Sequence, residues 1–409
     1  MRILVVGAGG VGSAIVSIAA RRGFVEQLVV ADVDAGRAER AAHRTGDVRI
    51  SSTRVDASDP LDVAELARSV RADVLVNACD PRLNPALFDG AFEAGCHYLD
   101  MAMHMSQPHP TKPTTHVGVL LGSEQLAVSD KWAERDQLAL VAMGVEPGLS
   151  DVFARYACDN LFATVQEVGV RDGGDLVIDG HGFAPTFSIW TTIEECLNPP
   201  IVYERDRGWF TTEPFSEPEH FTFPEGIGAI ECVNVEHEEV VLMPCWLDVG
   251  RVTFKYGLGE EFIDVLRTLH KLGLDSTRPL RVRDVEVAPR DVVASALPNP
   301  SELGDRMRGR TCAGVLVRGT GRLDGSPREA YLYQVVDNDW TMREWGHQAV
   351  VWQTAVHPVV ALELLAEGIW EDAGVLGPEA FPAGPFLDLL PAHGIGWAIE
   401  ERSPTIPER

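Results

Sequence analysis

Short apolar segments alternate with helical segments through the first 150 residues of the chain. Six apolar segments have the length and the branched side chains of buried strands: Ile3–Val6, Gln27–Ala31, Val48–Ser51, Asp73–Val76, His97–Leu99 and Leu138–Met143. Five segments between them are predicted helices: Val11–Arg22, Ala35–Arg44, Leu61–Val70, Leu83–Ala94 and Gln125–Asp136. This alternation predicts βαβ units and a doubly wound parallel sheet, with a ligand site at the carboxyl ends of the strands.

Beyond about residue 160 the pattern changes, because predicted strands follow one another without long helices between them. Eight segments are predicted strands: Val165–Val170, Leu176–Ile178, Glu231–Val235, Glu239–Met243, Arg251–Phe254, Thr311–Gly319, Ala330–Val336 and Ile395–Ile399. Three segments are predicted helices: Ile189–Cys196, Glu261–Leu272 and Ala355–Glu367. The chain as a whole is therefore predicted to be α/β, and its second domain α+β with a largely antiparallel sheet.

The length of the chain supports a division into two domains. It has 409 residues, whereas single cores stop growing at about 250–300 residues. We expect residues 1–150 to form the parallel-sheet domain and residues 151–349 to form a domain that binds the substrate. Residues 350–400 are expected to pack back on the first domain.

A glycine-rich turn joins the first predicted strand to the first predicted helix. Gly7, Gly9, Gly10, Val11 and Gly12 belong to this GxGxxG run. Its first glycine permits the tight turn, its second lets the backbone approach a pyrophosphate, and Gly12 lets the helix pack closely on the strand. The helix N-terminus then favours the negative charge of the phosphates. The sequence therefore predicts a Rossmann domain that binds NAD or NADP.

Other segments are predicted to contact the same cofactor. Asp32 ends the second strand, 20 residues after Gly12, where a carboxylate binds the ribose hydroxyls and repels a 2′-phosphate. This favours NAD, although the nearby Arg37 keeps NADP possible. Val33 follows Asp32, and the fourth strand is followed by Asn77, Ala78 and Cys79. The alternative role for Asp32 is that of a helix cap.

Charge and cysteine content narrow the class of protein. The formal net charge is −26, which disfavours binding to nucleic acid or to anionic membranes and fits a cationic or zwitterionic small molecule. The seven cysteines form no CxxC pair, so reduced thiols and a cytoplasmic location are expected. No metal site is predicted. The N-terminus leads directly into the first strand, so no signal peptide is expected.

Several motifs together resemble those of the saccharopine dehydrogenase family. Besides the glycine run, they are Asn77–Pro81, Tyr98–Asp100, Gly144–Gly148, Asn198–Pro200, Val235–Glu239, Leu364–Gly368 and Gly374–Leu376. The resemblance covers most of the chain. It implies a homodimer and hydride transfer at a carbon–nitrogen bond, with the second domain also serving dimerisation. The chain departs from the saccharopine reductase pattern at Glu146, where Asp is expected before Pro-Gly.

Three residues are candidates for catalysis. Glu146 lies at the carboxyl end of the sixth strand, next to Pro147 and Gly148. Its carboxylate could bind an amine or accept a proton; the alternative is a charge that complements a helix N-terminus. His237 and Glu239 alternate on a predicted strand and would point to one face. A His paired with a carboxylate suits acid–base chemistry on an imine, and homospermidine synthases carry a similar His-x-Glu. The alternative is an exposed, charged strand.

Three further residues are candidates for substrate binding. Trp190 could attract an amine through a cation–π interaction, or it could be a core tryptophan. Asp100 and His104 flank the loop after the fifth strand, near the expected position of the nicotinamide. Simple loop polarity explains them equally well.

These features predict an NAD(P)-dependent oxidoreductase that acts on the C–N bond of a lysine- or polyamine-like substrate. The leading subtype is a saccharopine or carboxynorspermidine dehydrogenase. The alternatives are a lysine 6-dehydrogenase, which deaminates oxidatively, and an amine transferase like homospermidine synthase, which retains its NAD. A protein that senses NADH without catalysis is a further alternative.

Overall fold

The computed structural model describes residues 1–181 and 183–403. Their first part contains six strands: β1 (Arg2–Val6), β2 (Gln27–Asp32), β3 (Ile50–Arg54), β4 (Val74–Asn77), β5 (His97–Asp100) and β6 (Leu138–Leu140). Six α-helices lie between or beside them: α1 (Gly10–Ala19), α2 (Ala35–Thr45), α3 (Pro60–Ser69), α4 (Asn84–Ala94), α5 (Ser123–Leu126) and α6 (Ser129–Ala133). The central strands are apolar throughout because helices cover both faces of the sheet.

The later part of the chain begins with α7 (Leu149–Tyr156). The strands that follow are β7 (Phe162–Gly174), β8 (Val177–Ile178), β9 (Ile201–Glu204), β10 (Gly208–Thr211), β11 (Glu219–Phe223), β12 (Gly228–Asn234), β13 (Arg251–Tyr256), β14 (Leu280–Val282), β15 (Val285–Val287), β16 (Met307–Arg308), β17 (Arg310–Gly321), β18 (Pro327–Asp337), β19 (Gly374–Leu376) and β20 (Ala398–Arg402). The helices are α8 (Ile189–Leu197), α9 (Glu239–Trp246), α10 (Glu260–Lys271), α11 (Pro289–Ala296), α12 (Asn338–Trp345), α13 (Ala349–Ala366) and α14 (Ala383–Leu389).

The first sheet has seven parallel strands in the order β19-β6-β5-β4-β1-β2-β3. The strand order reverses between β1 and β4, and a crevice opens there at the carboxyl ends of the strands. This confirms the predicted Rossmann-type sheet. The seventh strand comes from the C-terminal part of the chain, because β19 pairs with β6.

The second sheet has nine strands, and most of its pairs are antiparallel. Neighbouring strands lie in the order β10-β9-β13-β7-β17-β18-β20. Strand β12 also pairs with β13, and β11 pairs with β12. Within this sheet, β13 and β7 form the only parallel pair of strands among the described residues. The mixed, largely antiparallel sheet confirms the predicted fold class. The boundary between domains at residue 150 stays a prediction.

Several predicted elements differ from the structure in type or in bounds. Glu239–Met243 was predicted as a strand, but it begins helix α9. Its apolar residues are all buried, and a segment buried on every side has no periodicity that separates helix from strand. The predicted helix Gln125–Asp136 is divided into α5 and α6, because Val128 leaves the helical conformation at φ −108° and ψ 15°. The last strand begins at Ala398 instead of Ile395.

Helix α13 is the one described helix that is long and apolar enough to cross a membrane. Of its 18 residues, however, 78% are buried within the fold, as in the core helix of a globular protein. It packs against α1, beside the glycine turn. Length and hydropathy are therefore weak evidence for a membrane span here.

Candidate active site

The turn between β1 and α1 has the geometry of a phosphate cradle. Gly7 has φ +100°, and a Cβ there would lie 2.5 Å from the carbonyl oxygen of Ala78. A Cβ on Gly12 would lie 1.8 Å from the carbonyl oxygen of Gly7. Gly9 has open space where its Cβ would be, and no side chain caps α1. The free N–H groups and the open face fit the pyrophosphate of a dinucleotide.

A cavity of about 700 Å³ extends from this turn along α2. Arg37, Arg40 and Arg44 line it at helical spacing, together with Gly9 and His347. The guanidinium groups suit a phosphate on the adenosine ribose.

Asp32 is the last residue of β2, and backbone N–H groups already bind both of its carboxylate oxygens. Oδ2 accepts a bond of 2.8 Å from Ala8, and Oδ1 accepts one of 2.9 Å from Asp34. Nη1 of Arg37 lies 3.7 Å from Oδ2 of Asp32. Val33 is 59% exposed and does not line this cavity.

A second cavity, of about 340 Å³, opens at the carboxyl ends of β4 and β5. We call it the central cavity. Residues that line it include Gly10, Val11, Asn77, Ala78, Cys79, Asp100, Glu146, Asp172, Glu195, His237 and Glu238. A neighbouring cavity of about 370 Å³, the outer cavity, shares Val145, Glu146, Asp172, Tyr256 and Val350 with it. Among the described residues, neither lining contains a Lys or an Arg.

His237 and Glu239 form an ion pair at the wall of the central cavity. Nδ1 of His237 lies 2.5 Å from Oε2 of Glu239, and the ring stacks on Phe254 at a centroid distance of 3.8 Å. Burial alone lowers the pKa of His237, but the charges of Glu239 and Glu238 outweigh it and raise the pKa to about 10. The imidazole is therefore protonated at neutral pH. Its Nε2 makes no hydrogen bond to residues 1–181 or 183–403.

Three partly buried carboxyl groups line the same cavity as this imidazolium. Burial raises the pKa of Asp172 to about 7 and that of Glu195 to about 8. Burial, followed by the charge of Asp172, also raises the pKa of Glu146. Glu146 and Asp172 both line the wall between the two cavities, where the charge of Asp172 favours the protonated form of Glu146. Such a site favours a ligand that brings positive charge.

Comparison with known proteins gives the family. Residues 3–140 match the family model of the saccharopine dehydrogenase NADP binding domain, and residues 144–395 match that of the saccharopine dehydrogenase C-terminal domain. The chain belongs to the saccharopine dehydrogenase family.

Individual members of the family resemble the chain over nearly its full length. A carboxynorspermidine synthase from Vibrio cholerae is 26% identical over 100% of this chain and 99% of its own. A carboxyaminopropylagmatine dehydrogenase from Synechocystis is 27% identical over 97% of this chain and 96% of its own. The structure of apo saccharopine dehydrogenase (L-Glu forming) from Saccharomyces cerevisiae has a TM-score of 0.70 at 12% identity, covering 98% of this chain and 100% of that one.

The structure brings two of the three catalytic candidates to the cavity wall of this saccharopine dehydrogenase family member. Glu146 and His237 line the central cavity, whereas Glu239 is fully buried behind His237. The expectation that His237 and Glu239 alternate on a strand was wrong, because Glu239 is the first residue of α9. The two side chains meet through the turn that precedes the helix.

The substrate-binding candidates lie in different surroundings. Asp100 lines the central cavity, but its Oδ1 accepts from the Ala142 N–H at 2.7 Å and its Oδ2 from Gln125 at 2.9 Å. Burial raises its pKa to about 7. His104 lines neither the central nor the outer cavity, and its ring lies edge-on to Phe88.

Trp190 lines only a small adjoining pocket of about 40 Å³. Arg82 lies 4.3 Å and Arg290 4.8 Å from the centroid of its ring. Its Nε1 donates to Asp291 at 3.2 Å. The two guanidinium groups therefore hold the positions that a cationic substrate would need for a cation–π contact.

Asp172, Glu195 and Glu238 were missed by the sequence analysis. Asp172 is two residues after Val170 and four after Val168 on β7, so it belongs to the face of the strand that these two buried valines occupy. Glu195 is next to the buried Cys196 on α8. The sequence signal for these residues was a carboxylate at a position where the neighbouring pattern predicts a buried apolar side chain.

One group of possible metal ligands is present among the described residues. Ligand atoms of His237, Glu238 and Glu239 lie within 4.8 Å of one another. Protonated His237 provides the positive charge that an ion would otherwise bring. The absence of a metal stays a prediction.

Proposed function

We propose that this chain is an NAD(P)-dependent oxidoreductase that transfers hydride at the C–N bond of a polyamine-like secondary amine. The observation that carries this proposal is the acidic central cavity beside the glycine turn. Glu146, Asp172, Glu195 and Glu238 line it, with no Lys or Arg among the described lining residues. A polycation gains from each carboxylate, whereas an anionic substrate would be repelled. The names of the curated relatives support the same substrate class.

Different side chains bind the amine and transfer the proton. Bound nicotinamide supplies hydride to an imine carbon, or takes it from the corresponding amine. In the reducing direction the nitrogen must also gain one proton. His237 holds a proton on Nε2, and Glu239 stabilises the imidazolium from the opposite side of the ring. Glu146 and Asp172, whose pKa values are raised, lose protons as they bind the positive charge of the amine.

We propose NADP(H) as the preferred form of the cofactor, in place of the NAD favoured by Asp32 alone. Arg37, Arg40 and Arg44 line the cavity next to Gly9, so three cations are available for a 2′-phosphate. Asp32 is engaged by the N–H groups of Ala8 and Asp34.

The test is oxidation of defined secondary amines by the purified protein. Carboxynorspermidine, carboxyaminopropylagmatine, saccharopine and lysine are each offered with NADP⁺ and with NAD⁺, and reduced nicotinamide is followed by absorbance. We expect turnover with one of the first two compounds. Activity with lysine alone would establish the deaminase instead. Exchange of amine groups without net reduced cofactor would establish the transferase, and cofactor binding without turnover would establish the sensor.

We further propose a cytoplasmic homodimer with a domain boundary near residue 150. The hairpin β14–β15 supports the dimer, because Leu280, Val282 and Val285 are all more than half exposed on it. An isolated two-stranded hairpin is marginally stable in water. Its neighbouring arginines suit the acidic surface of a second copy. Light scattering of the wild type and of Val282→Asp tests the assembly, and a monomeric wild type would contradict it.

A further inference from the structure

Three neighbouring cavities share lining residues with the central cavity, and one of them has room for the part of a substrate that does not react. The cavity of about 700 Å³ along α2 joins it through Gly10 and Val11 and belongs to the cofactor. The pocket of about 40 Å³ beside Trp190 has room for only a few water molecules. The outer cavity, of about 370 Å³, has the size of a site for a small organic ligand.

The central and outer cavities meet at a junction that carries carboxyl groups and an aromatic ring. Glu146, Asp172 and Tyr256 line both cavities. Oε1 of Glu146 is buried and has no hydrogen-bond partner among the described residues. Carboxylates and aromatic rings both attract an ammonium group. The charged nitrogen of a secondary amine therefore fits the junction, with one carbon chain continuing into each cavity.

Beyond the junction, the outer cavity has apolar walls. Leu176, Ile178, Phe183, Leu258 and Phe262 contribute half-buried side chains to them. The rings of Phe183 and Phe262 contact each other, with centroids 4.9 Å apart. Burying one methylene group against such a surface is worth a factor of about four in affinity. A hydrocarbon chain in the outer cavity therefore gains affinity with each carbon.

Three polar side chains of the outer cavity already have hydrogen-bond partners. Oγ1 of Thr311 donates to Oε1 of Gln353 at 2.6 Å, and Nε2 of Gln353 donates to Gln334 at 3.2 Å. Oγ1 of Thr192 donates to the carbonyl oxygen of Ser188 at 3.0 Å. Since the described lining also contains no Lys or Arg, the carboxylate of an amino acid would find no cation here. A chain of methylene groups fits this cavity better than a polar head group.

Solvent reaches the outer cavity on one side. Val177, which is 58% exposed, and Glu261, which is also exposed, both line it. The end of a long chain stays in water there, whether it carries an ammonium or a guanidinium group. Such a cavity is suited to distinguish chains by their length and not by their end group.

From this geometry we propose that the outer cavity is the subsite for the alkyl arm of the secondary amine and selects substrates by the length of that arm. The inference rests on the proposed function. The reacting carbon lies in the central cavity beside the cofactor turn, and the charged nitrogen lies at the junction. The methylene groups of the arm contact Phe183, Leu258 and Phe262. Saccharopine is disfavoured, because both of its arms end in amino-acid groups.

The experiment measures kcat/KM for oxidation of secondary amines that share the carboxylated half of carboxynorspermidine. Their arms are methyl, propyl, butyl, aminopropyl or guanidinobutyl groups, and the uncharged arms isolate the contribution of the methylene groups. From methyl to butyl we expect kcat/KM to rise about fourfold per methylene. Phe183→Ala removes part of the wall and should reduce this rise to about twofold per methylene. Leu258→Trp fills the cavity and should lower kcat/KM roughly 50-fold for the butyl arm, but less than about twofold for the methyl arm.

Phe92→Ala provides the matched control. Phe92 is also half-buried, packs on Trp132 at a centroid distance of 5.3 Å and lines neither cavity. This variant should lose thermal stability and keep the wild-type dependence on arm length. A wild-type kcat/KM that does not depend on arm length would overturn the subsite while leaving the proposed function intact. A dependence that survives in both Phe183→Ala and Leu258→Trp would do the same. A wild type that oxidises none of the compounds would overturn both.

Discussion

Glu146 and Asp172 both line the wall that the central and outer cavities share, and the charge of Asp172 adds to burial in raising the pKa of Glu146. Both side chains are acidic, so the charge of one favours the protonated form of the other in the ligand-free site. A cation that enters the junction replaces this proton and leaves two carboxylates to bind it. Substrate binding and proton release are therefore coupled at this site.

The first prediction is that binding of a polyamine strengthens as pH rises. Asp172 and Glu195, with pKa values of about 7 and about 8, ionise between pH 6 and pH 8.5. Ionised carboxylates attract the cation, and one pKa unit corresponds to about 1.4 kcal/mol, or tenfold in affinity. We expect KM for the amine to fall roughly tenfold over this range. Calorimetry in buffers of different ionisation enthalpy should detect protons released on binding.

Asp172→Asn should flatten this dependence on pH, because a carboxyl group with a pKa of about 7 is removed. Glu261→Gln is the matched control, since Glu261 lines the outer cavity but is exposed. Its KM should follow the wild-type profile. A KM that rises with pH in the wild type would contradict a polycationic substrate.

The second prediction concerns the ion pair between His237 and Glu239. In His237→Gln the proton next to the cavity is lost, and we expect kcat to fall by roughly 10²–10³, as for other general acids. KM for the cofactor should stay within about threefold, because His237 does not line the cofactor cavity beside α2. Steady-state kinetics of oxidation and circular dichroism check the two expectations.

Glu238→Gln is the control for this change. Glu238 lies 3.3 Å from Nδ1 of His237 but leaves the 2.5 Å contact with Glu239 in place. Its effect on kcat should be much smaller. Equal losses in the two variants would mean that net charge, and not the His237 proton, governs the rate.

The sequence was sufficient where local pattern and structure agree. The run Gly7–Gly12 follows a strand and opens a helix, so its role could be derived from a few neighbouring residues. Glu239 was assigned to a strand because the following apolar residues are buried on every side. The position of Asp172 on β7 marks it as unusual, but spacing along the chain does not show that it shares a cavity wall with Glu146 from another element. Such sites arise from tertiary burial, which spacing along the chain does not contain.

The third prediction is that Arg40 and Arg44 favour NADP(H) over NAD(H). Both guanidinium groups are exposed along the cavity that starts at Gly9. Replacing either by Ala should weaken NADPH binding about tenfold, or about 1.4 kcal/mol, since one charged contact to phosphate is lost. Binding of NADH should change less than about twofold. Fluorescence titration with both cofactors measures this, and equal losses would contradict a 2′-phosphate site.

The fourth prediction separates cofactor binding from folding at the glycine turn. Gly9 has φ −69° and open space at its Cβ position, so Gly9→Ala should keep the wild-type melting temperature. The added methyl group enters the path of the pyrophosphate and should weaken cofactor binding. Gly12→Ala places a Cβ 1.8 Å from the Gly7 carbonyl and should destabilise the fold. Unimpaired cofactor binding by a folded Gly9→Ala protein would place the phosphates elsewhere.

The last prediction is that the ligand-free protein loses stability as pH rises from 5 to 9. Burial raises the pKa values of Asp172 to about 7 and Glu195 to about 8, so the folded state holds protons that the unfolded chain has released above about pH 4.5. Stability then falls with rising pH through the folded pKa values. His237 acts in the same direction. The protonated ring, paired with Glu239, stabilises the folded protein fully below about pH 6.5, and this stabilisation is lost as pH rises toward the folded pKa of about 10. Differential scanning fluorimetry should show a falling melting temperature, and added polyamine should oppose the fall. A melting temperature that rises over this range would mean that these carboxyl groups are ionised in the folded protein without a ligand.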